Sequence, residues 1–386
     1  MKYRIDKSSN NELSVLGLGC MRFPRSKAET ERMILTAIDN GINYFDTAYI
    51  YPNSEQTLGT ILAKHNKRKD IYIATKLPLL MCKKTEDFDK FFDIQLRHLQ
   101  TDYIDYYMLH NISDISQWEA MLELGIEKWI SEKKESGKIH RIGFSFHGSY
   151  DEFIKILNAY PWEYCMIQYN YYDINYQAGK KGLQAAAEKE IPVIIMEPLL
   201  GGRLADGLPR QAVEIFAKAD PDRAPVDWAL RWLWNQSEVT VILSGMSTVR
   251  QIENNVDSAN NYIPLSDDEL TIYDDVIKQF RKSYKIPCTG CDYCMPCPKG
   301  IDISSCFSAY NTSYAQRYMT GIMLYANSTA IITKYSKSPR NCTKCGKCEK
   351  HCPQNIAIID SLKKVTKRLE PLPLRLIISL VRRVMS

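Results

Sequence analysis

Short apolar segments alternate with amphipathic segments along most of the chain, and this alternation constrains the fold more than any other feature. The apolar segments have the length and composition of buried parallel strands. Eight such strands are predicted, at residues 16–19, 43–48, 71–76, 104–110, 141–145, 166–169, 193–197 and 239–243. Eight strand–helix units predict an α/β fold of the TIM (β/α)8 barrel type. A doubly wound sheet is the alternative, but no GxGxxG motif follows the first strand.

The helices predicted between these strands include residues 29–40, 88–99, 118–135 and 183–189. Residues 1–12 are polar around a Ser-Ser-Asn-Asn turn and predict a hairpin ahead of the barrel. A further helix is predicted at 266–282, after which the composition changes to cysteine, glycine and proline. We therefore predict two domains: the barrel over residues 1–284, and a small α-helical, cysteine-containing domain over residues 285–386.

Side chains suited to acid–base chemistry stand at the ends of several predicted strands. Asp46 ends the second strand, and Tyr51 follows it five residues later. Lys76, His110 and Gln168 stand at the ends of three later strands. Because the carboxyl ends of the strands form the mouth of a TIM barrel, where active sites lie, we expect these side chains to meet there.

The segments around these residues resemble the signatures of the aldo-keto reductase family. The motifs are FDTAYIY, which contains Asp46 and Tyr51, then ATK ending at Lys76 and YMLH ending at His110. They follow the family's order, and the resemblance covers residues 13–263. It implies that these four residues are catalytic. A tyrosine needs a nearby ammonium to exchange protons near neutrality, so Tyr51 is the expected proton donor, supported by Lys76 and Asp46. His110 is expected to orient the substrate oxygen.

The resemblance also implies where a nicotinamide cofactor, NADP(H) or NAD(H), would bind. Ser145 and Gln168 match the positions that hold the nicotinamide amide, and Met196 stands where the family commonly has a tyrosine beneath the ring. A later segment resembles the one that binds the adenosine end of the cofactor. Its implied contacts are Gly245, Ser247, Thr248, Gln251 and Asn255. Gln251 stands where an arginine often holds the 2′-phosphate, which weakens the preference for NADP.

Eight of the twelve cysteines stand in two runs, each followed by proline. The runs are Cys288, Cys291, Cys294 and Cys297, and then Cys342, Cys345, Cys348 and Cys352. The second run has the spacing of bacterial ferredoxins, and the first departs from it by one residue. Residues 287–359 therefore resemble a two-cluster ferredoxin. Zinc is the alternative, although cysteines repeated at two-residue intervals exceed the needs of one tetrahedral site.

The resemblance predicts that two 4Fe-4S clusters are ligated crosswise. The first three cysteines of each run would bind one cluster, and the fourth would bind the other. Cys352 would thus complete the site of the first run, and Cys297 that of the second. Cys306 and Cys20 are interpreted as packed thiols.

Composition and charge exclude several other classes of protein. The net charge of +5 is mild, and no Lys/Arg run interleaves with aromatic residues, so we expect no nucleic-acid partner. Dense cysteine pairs without a signal peptide or an apolar run of membrane-spanning length predict a cytoplasmic protein. A basic amphipathic tail at 372–385 is expected to pack on the protein rather than on a membrane surface.

These observations predict an oxidoreductase that transfers hydride reversibly between a nicotinamide and a small carbonyl or alcohol, coupled to or gated by its clusters. A ferredoxin or flavoprotein would be its electron partner. One alternative is a flavin-dependent reductase, for which Gly201, Gly202 and Arg203 could cradle a phosphate. Another is a redox sensor whose clusters are not catalytic.

Overall fold

The computed structural model describes residues 1–329 and 337–372. Contacts between residues divide the chain into two compact units. One unit consists of Met1–Pro198 and Ala229–Leu265, and the other of Leu199–Trp228 and Ser266–Ser386. The division differs from a single cut in the sequence, because Leu199–Trp228 groups with the C-terminal part of the chain.

The first unit contains a closed barrel of eight parallel strands, which confirms the predicted TIM barrel. Each strand pairs with its neighbour in the chain, and the last strand pairs with the first. The barrel strands are β3 (Leu16–Gly19), β4 (Tyr44–Asp46), β5 (Tyr72–Leu77), β6 (Ile104–Ile112), β7 (Ile139–Phe146), β8 (Tyr164–Gln168), β9 (Val193–Met196) and β10 (Val239–Ser244). The predicted hairpin is also present, with β1 (Tyr3–Asp6) antiparallel to β2 (Asn11–Ser14).

Helices connect the strands of this unit. They are α1 (Lys27–Asp39), α2 (Ser54–Lys64), α3 (Glu86–Leu99), α4 (Ile115–Glu123), α5 (Ile126–Glu135), α6 (Tyr150–Ala159), α7 (Gly179–Glu188) and α10 (Val249–Asn261). The prediction of one helix over 118–135 is wrong, because α4 and α5 are separate helices. Gly125 lies between them with φ of +80°, a left-handed conformation that interrupts a right-handed helix and suits glycine.

Aromatic and aliphatic side chains fill the interior of the barrel. Tyr44, Tyr106 and Tyr164 pack edge to face there, with ring centroids 5.1–5.3 Å apart. The Tyr106 hydroxyl donates to Asp6 Oδ2 at 2.6 Å and so fixes the hairpin to the barrel. Because the interior is packed, a substrate can be held only at the strand ends and their loops.

The second unit is helical in its described part. Its helices are α8 (Arg210–Ala219), α11 (Asp267–Ser283), α12 (Ile303–Ala315), α13 (Tyr318–Thr329), α14 (Lys347–Lys350) and α15 (Ile358–Leu369), while α9 (Pro225–Trp234) spans the division between the units. The predicted helical stretch over 301–335 is two helices as far as residue 329. Residues 330–336, and the predicted tail helix beyond Leu372, lie outside the described residues.

A separate core holds this unit together. Ile286, Ile301, Phe307 and Leu362 are buried in it, and several cysteines of both runs pack against it. Across residues 1–329 and 337–372, no helix is both long and apolar enough to cross a membrane.

Candidate functional site

Three strand ends and one loop bring the predicted catalytic residues together. Asp46 is the last residue of β4, and Lys76 and His110 lie near the carboxyl ends of β5 and β6. These strands are neighbours in the barrel, so their ends share one edge. Tyr51 lies in the loop between β4 and α2.

Asp46 and Lys76 form a buried ion pair, with exposed fractions of 4% and 1%. Lys76 Nζ donates to both carboxylate oxygens of Asp46, at 2.7 and 2.8 Å, and to the Thr47 carbonyl at 2.7 Å. Burial raises the pKa of Asp46, and the positive charge of Lys76 opposes that shift. The three donors of the ammonium are thus all used, which fixes its position.

Tyr51 and His110 lie next to this ion pair. Lys76 Nζ lies 4.9 Å from the centroid of the Tyr51 ring, and the Tyr51 and His110 rings are 6.0 Å apart at 87°. Burial, followed by the positive charge of Lys76 and then His147, lowers the pKa of His110 well below its usual 6.5. His110 is therefore a neutral imidazole at physiological pH. The four side chains are adjacent, while their catalytic roles remain predictions.

A buried polar network supports the strand that carries Lys76. Glu55 Oε1 accepts hydrogen bonds from Thr75 Oγ1 at 2.6 Å and from Gln95 Nε2 at 2.7 Å. Gln95 Nε2 also donates to the Lys76 carbonyl at 3.1 Å, and Gln95 Oε1 accepts from Tyr107 at 2.7 Å. Glu55 therefore holds the Thr75 side chain, and Gln95 holds the carbonyl of Lys76 itself.

The two residues matched to the nicotinamide amide already have protein partners. Ser145 Oγ accepts from the Asn111 backbone N–H at 2.8 Å. Gln168 Nε2 donates to Asp173 Oδ2 at 2.8 Å. Burial raises the pKa of Asp173 to about 6, although hydrogen bonds from Asn170 and Gln168 act in the opposite direction. Asp173 thus fixes how Gln168 presents its amide.

Asp173→Asn is expected to make the stability of the protein less dependent on pH. With a pKa of about 6, the native state binds this proton more tightly than the unfolded chain, in which an aspartate titrates near pH ~4. The stabilisation is fully present below about pH 4 and is lost as the pH rises through about 6, a change of roughly 3 kcal/mol. Thermal melts of both proteins from pH 5 to 8 measure the effect. The variant should gain stability relative to wild type as the pH rises.

Asp102→Asn provides the control, because Asp102 is exposed in the loop before β6. Replacing this exposed carboxylate should change the melting temperature much less than Asp173→Asn does. A constant difference between Asp173→Asn and wild type across this range would contradict the assigned titration.

The other implied cofactor contacts lie at the ends of β9 and β10. Met196 is partly buried and packs against the barrel core. Thr248 caps α10, its Oγ1 accepting from Gln251 N at 3.2 Å, and Asn255 donates to Ser244 Oγ at 3.1 Å. Gln251 Oε1 in turn accepts from the Ser247 backbone N–H at 2.8 Å, so its side chain folds back over the first turn. Gly245 is exposed just before this turn.

A small pocket in the second unit gathers cysteines from both runs. Four of them line it: Cys288, Cys291, Cys294 and Cys352. The rest of the wall is largely apolar, with Ile303, Phe307 and Ile356. Within the described residues, no three His, Cys, Asp or Glu side chains converge on a single-ion site. The grouping is the one expected for crosswise ligation of the first cluster, and the ligation itself remains a prediction.

Burial of these thiols matters for what they can bind. It raises the pKa of Cys288 and, more strongly, that of Cys294. A buried thiolate is therefore stable only beside positive charge, which iron supplies. The four sulfur donors in an apolar cavity thus fit an iron–sulfur cluster.

The remaining cysteines differ in exposure. Cys345 is exposed, while Cys342, Cys348 and Cys297 are partly buried. Cys342 Sγ accepts from the Lys344 backbone N–H at 3.4 Å. Cys306 is fully buried in the core of the second unit. Cys20 is also buried, and burial, then the negative charge of Asp46, raises the pKa of its thiol.

The Gly201–Arg203 segment contacts the first cysteine run. Arg203 Nε donates to the Cys288 carbonyl at 3.0 Å, and the Tyr284 hydroxyl donates to the same oxygen at 3.2 Å. Gly201 has φ of +65°, and a Cβ there would lie 2.1 Å from the Thr289 carbonyl oxygen. The segment therefore holds the loop of Cys288, and the phosphate cradle that the sequence suggested remains a prediction.

Gly201→Ala is expected to destabilise this loop by about 1–3 kcal/mol and to lower the iron content of anaerobically purified protein. The added methyl group collides with backbone, which cannot rotate away as a flexible side chain can. Gly202→Ala is the matched control, since Gly202 has φ of +89° but no atom within 4 Å of its Cβ position. It carries the backbone strain alone, about 1 kcal/mol. Equal iron loss in both variants would contradict the role of the Thr289 contact.

Comparison with known proteins identifies both parts of the chain. A model of the aldo/keto reductase family matches residues 15–278. The chain belongs to the aldo/keto reductase family. A model of a 4Fe-4S dicluster domain matches residues 287–357, which confirms the predicted combination. The placement of the boundary between residues 284 and 285 remains a prediction.

Relatives of this aldo-keto reductase match mainly its barrel. The uncharacterized oxidoreductase YqkF of Bacillus subtilis is 27% identical over 67% of the chain and 92% of its own length. The aldo-keto reductase yakc [NADP(+)] of Schizosaccharomyces pombe is 24% identical over 64% of the chain and 84% of its length. The solved structure of the holo form of aldo-keto reductase AKR11C1 from Bacillus halodurans has a TM-score of 0.61 and 25% identity, covering 72% of this chain and 96% of that one. Together, the family, the fold and these relatives show that the chain is an oxidoreductase.

Three residues of the candidate site were not singled out in the sequence. Gln95 interrupts the apolar face of α3 beside Phe91 and Phe92, and a buried polar residue in such a stripe is a usable signal. Glu55 lies in the first turn of α2, and no feature of the sequence marks it as part of a site. Asp173 depends on the path of the loop after β8, where Asn170 Oδ1 accepts from the Tyr172 and Asp173 N–H groups.

Proposed function

We propose that the barrel catalyses reversible hydride transfer between a nicotinamide cofactor and a small carbonyl or alcohol. The observation that carries the proposal is the buried Asp46–Lys76 ion pair directly beside Tyr51 and His110. A proton donor, a cation that stabilises its conjugate base and a neutral hydrogen-bonding group are what carbonyl reduction requires.

A nicotinamide bound at the mouth of the barrel would supply the hydride that the carbonyl carbon accepts. Neutral His110 donates a hydrogen bond that orients the carbonyl oxygen. Tyr51 gives its phenolic proton to that oxygen as negative charge develops on it. Lys76 stabilises the resulting phenolate, and Asp46 holds the ammonium in place. Tyr51 then recovers a proton from solvent, and the reverse sequence oxidises an alcohol.

The fit of the dinucleotide rests on the loops at the strand ends. Gln168 and Ser145 would hold the nicotinamide amide, and the N-terminal turn of α10 would receive phosphate through its backbone N–H groups. Gln251, which is folded onto Ser247, supplies no cation for a 2′-phosphate. We therefore propose that NADH and NADPH are both accepted, although yakc is named for NADP(+).

We propose two 4Fe-4S clusters, ligated crosswise by the two runs, that exchange electrons separately from the hydride step. Nicotinamide transfers two electrons together, whereas each cluster accepts one at a time. Direct exchange between them would require a flavin, which handles both modes. The Gly201–Arg203 segment offered the specific argument for a flavin phosphate, and its Arg203 already donates to the Cys288 carbonyl.

Anaerobic mixing of the cluster-loaded protein with NADPH or NADH tests this separation. We expect carbonyl reduction without bleaching of the cluster absorbance. Bleaching in flavin-free protein would refute the separation of the two half-reactions, and bleaching only after addition of a flavin would favour the flavin-dependent reductase. If no carbonyl in a broad panel is reduced by either nucleotide, the hydride-transfer proposal itself fails.

A further inference from the structure

The part of the chain from residue 337 to residue 372 is strongly basic. Residues 337–372 contain nine Lys and Arg but only three Asp and Glu, whereas the whole chain has a net charge of only +5. All seven lysines of this stretch are exposed, and we call the six that follow Arg340 the lysine face. They are Lys344, Lys347, Lys350, Lys363, Lys364 and Lys367.

The lysine face is formed by two segments that lie together. Lys344 and Lys363 line the same groove as Cys342. Asp360 interacts with both segments. Its hydrogen bond to Lys363 and the positive charges of Lys364 and Lys344 lower the pKa of its carboxyl group. Within the described residues, Lys363 is the only member of the face in an ion pair, with Asp360 at 2.7 Å. The other five charges are available to a partner.

The pattern of α15 explains why these lysines point outward. Ile358, Leu362, Val365 and Leu369 repeat at helical spacing and are buried in the core of the unit. Lys363, Lys364 and Lys367 fall on the opposite side of the helix and are exposed. The positive surface is therefore fixed by the packing of α15.

The second cysteine run lies within this surface. Cys345 is exposed and has Lys344 beside it in sequence and Lys347 two residues later. An electron carrier must approach a redox centre closely, and opposite charges around that centre increase the rate of productive encounter. The exposed ligand and the surrounding cations form one surface suited to that purpose.

Two other anionic partners fit less well. A membrane-binding surface needs apolar side chains that insert below the headgroups. Among the described residues from 337 to 372, Leu372 is the single large hydrophobic side chain that is exposed, and one side chain offers little apolar surface for insertion. Binding of single-stranded nucleic acid relies on aromatic stacking, and this stretch contains no Phe, Tyr or Trp. An acidic protein remains the partner that matches both the charge and the exposed cysteine.

We propose that the lysine face docks an acidic one-electron carrier protein that exchanges electrons with the cluster of the second cysteine run. This inference rests on the proposed cluster ligation and adds the surface and the partner class. In each encounter the reduced carrier loses one electron and the cluster gains it. No bond is formed or broken, and no proton is transferred.

The test uses the cluster-loaded full chain and an acidic flavodoxin as the probe. Lys364→Glu/Lys367→Glu removes part of the face without touching residues next to a cysteine of either run. The matched control is Lys278→Glu/Lys282→Glu, which makes the same charge change at exposed positions of α11 in the same unit. Affinity is measured by calorimetry at about 50 and 200 mM salt, where screening differs. Electron transfer is followed by cluster absorbance, with reduced methyl viologen, a radical cation, as a small cationic one-electron donor.

We expect the face variant to bind flavodoxin at least about tenfold more weakly at low salt and with a smaller salt dependence. The control variant should change by less than about twofold, and methyl viologen should reduce all three proteins equally. Equal weakening in both variants, or none in the face variant, would overturn the proposal. So would binding of anionic phospholipid vesicles, but not flavodoxin, through the same lysines. Iron content distinguishes a failure of the proposed cluster ligation from a failure of the docking proposal. A protein without clusters would contradict the ligation, while its affinity for flavodoxin could still be measured.

Discussion

Tyr51→Phe is expected to lower kcat/KM for carbonyl reduction by about 10²–10⁴-fold, because the phenolic proton is lost while the ring remains. The ring still packs beside Lys76 and His110, so nicotinamide affinity should be unchanged. Steady-state rates with a reactive aldehyde, together with nucleotide affinity from fluorescence quenching, measure the two effects separately.

Tyr49→Phe is the control for this substitution. Tyr49 lies in the same loop and is also partly buried, with its ring edge to face on Phe91 at 4.9 Å. Loss of its hydroxyl should leave the rate within about twofold of wild type. A Tyr51→Phe enzyme that reduces aldehydes at the parent rate would show that another group donates the proton.

The pH profile of the same reaction distinguishes Tyr51 from His110. Because the pKa of His110 is held well below its usual 6.5, this residue has no proton to lose from an imidazolium as the pH rises above neutrality. A decline of kcat/KM with rising pH therefore reports the loss of the phenolic proton. Lys76→Met removes the cation that stabilises the phenolate, so the decline should move to higher pH as the maximum rate falls.

The barrel could be predicted from the sequence because each of its strands is a short apolar run. Their ends were predicted to within about two residues, and a barrel whose strands follow chain order brings consecutive strand ends together. That rule was enough to place Asp46, Lys76 and His110 side by side. The division at Gly125 was missed because a glycine within a helical pattern is compatible with either one helix or two.

The supporting contacts could not be predicted in the same way. Arg203 contacts the carbonyl of Cys288, which is distant in sequence, and a Gly-Gly-Arg turn does not reveal its partner. Asp173 reaches Gln168 only because Asn170 shapes the loop between them. Such contacts depend on the tertiary path of loops, whereas the strand ends follow from periodicity alone.

The arrangement of the two cysteine runs leads to the other large effect expected. Cys288→Ala/Cys352→Ala should lower the iron content from about eight to about four atoms per chain, because both residues line one cavity and serve one cluster. Alanine cannot ligate iron, so a variant that loses one or both ligands of a cluster is expected to lose that cluster. Iron analysis and cluster absorbance after anaerobic purification give the result.

Cys288→Ala/Cys297→Ala provides the reciprocal experiment. Under crosswise ligation these residues belong to different clusters, so the variant should retain almost no iron. If each run instead held its own cluster, the two outcomes would be exchanged: this variant would keep about four irons, and Cys288→Ala/Cys352→Ala would keep none. Cys306→Ala controls for the loss of a buried thiol. Because Cys306 lies in the core of the second unit, this variant should retain about eight irons. Crosswise ligation and ligation within each run predict opposite iron contents for the two double variants. The comparison therefore distinguishes the two arrangements even if each substitution also destabilises the fold. The position of Cys352 on the cavity of the first run favours the crosswise result, in which neither cluster can form from one run alone.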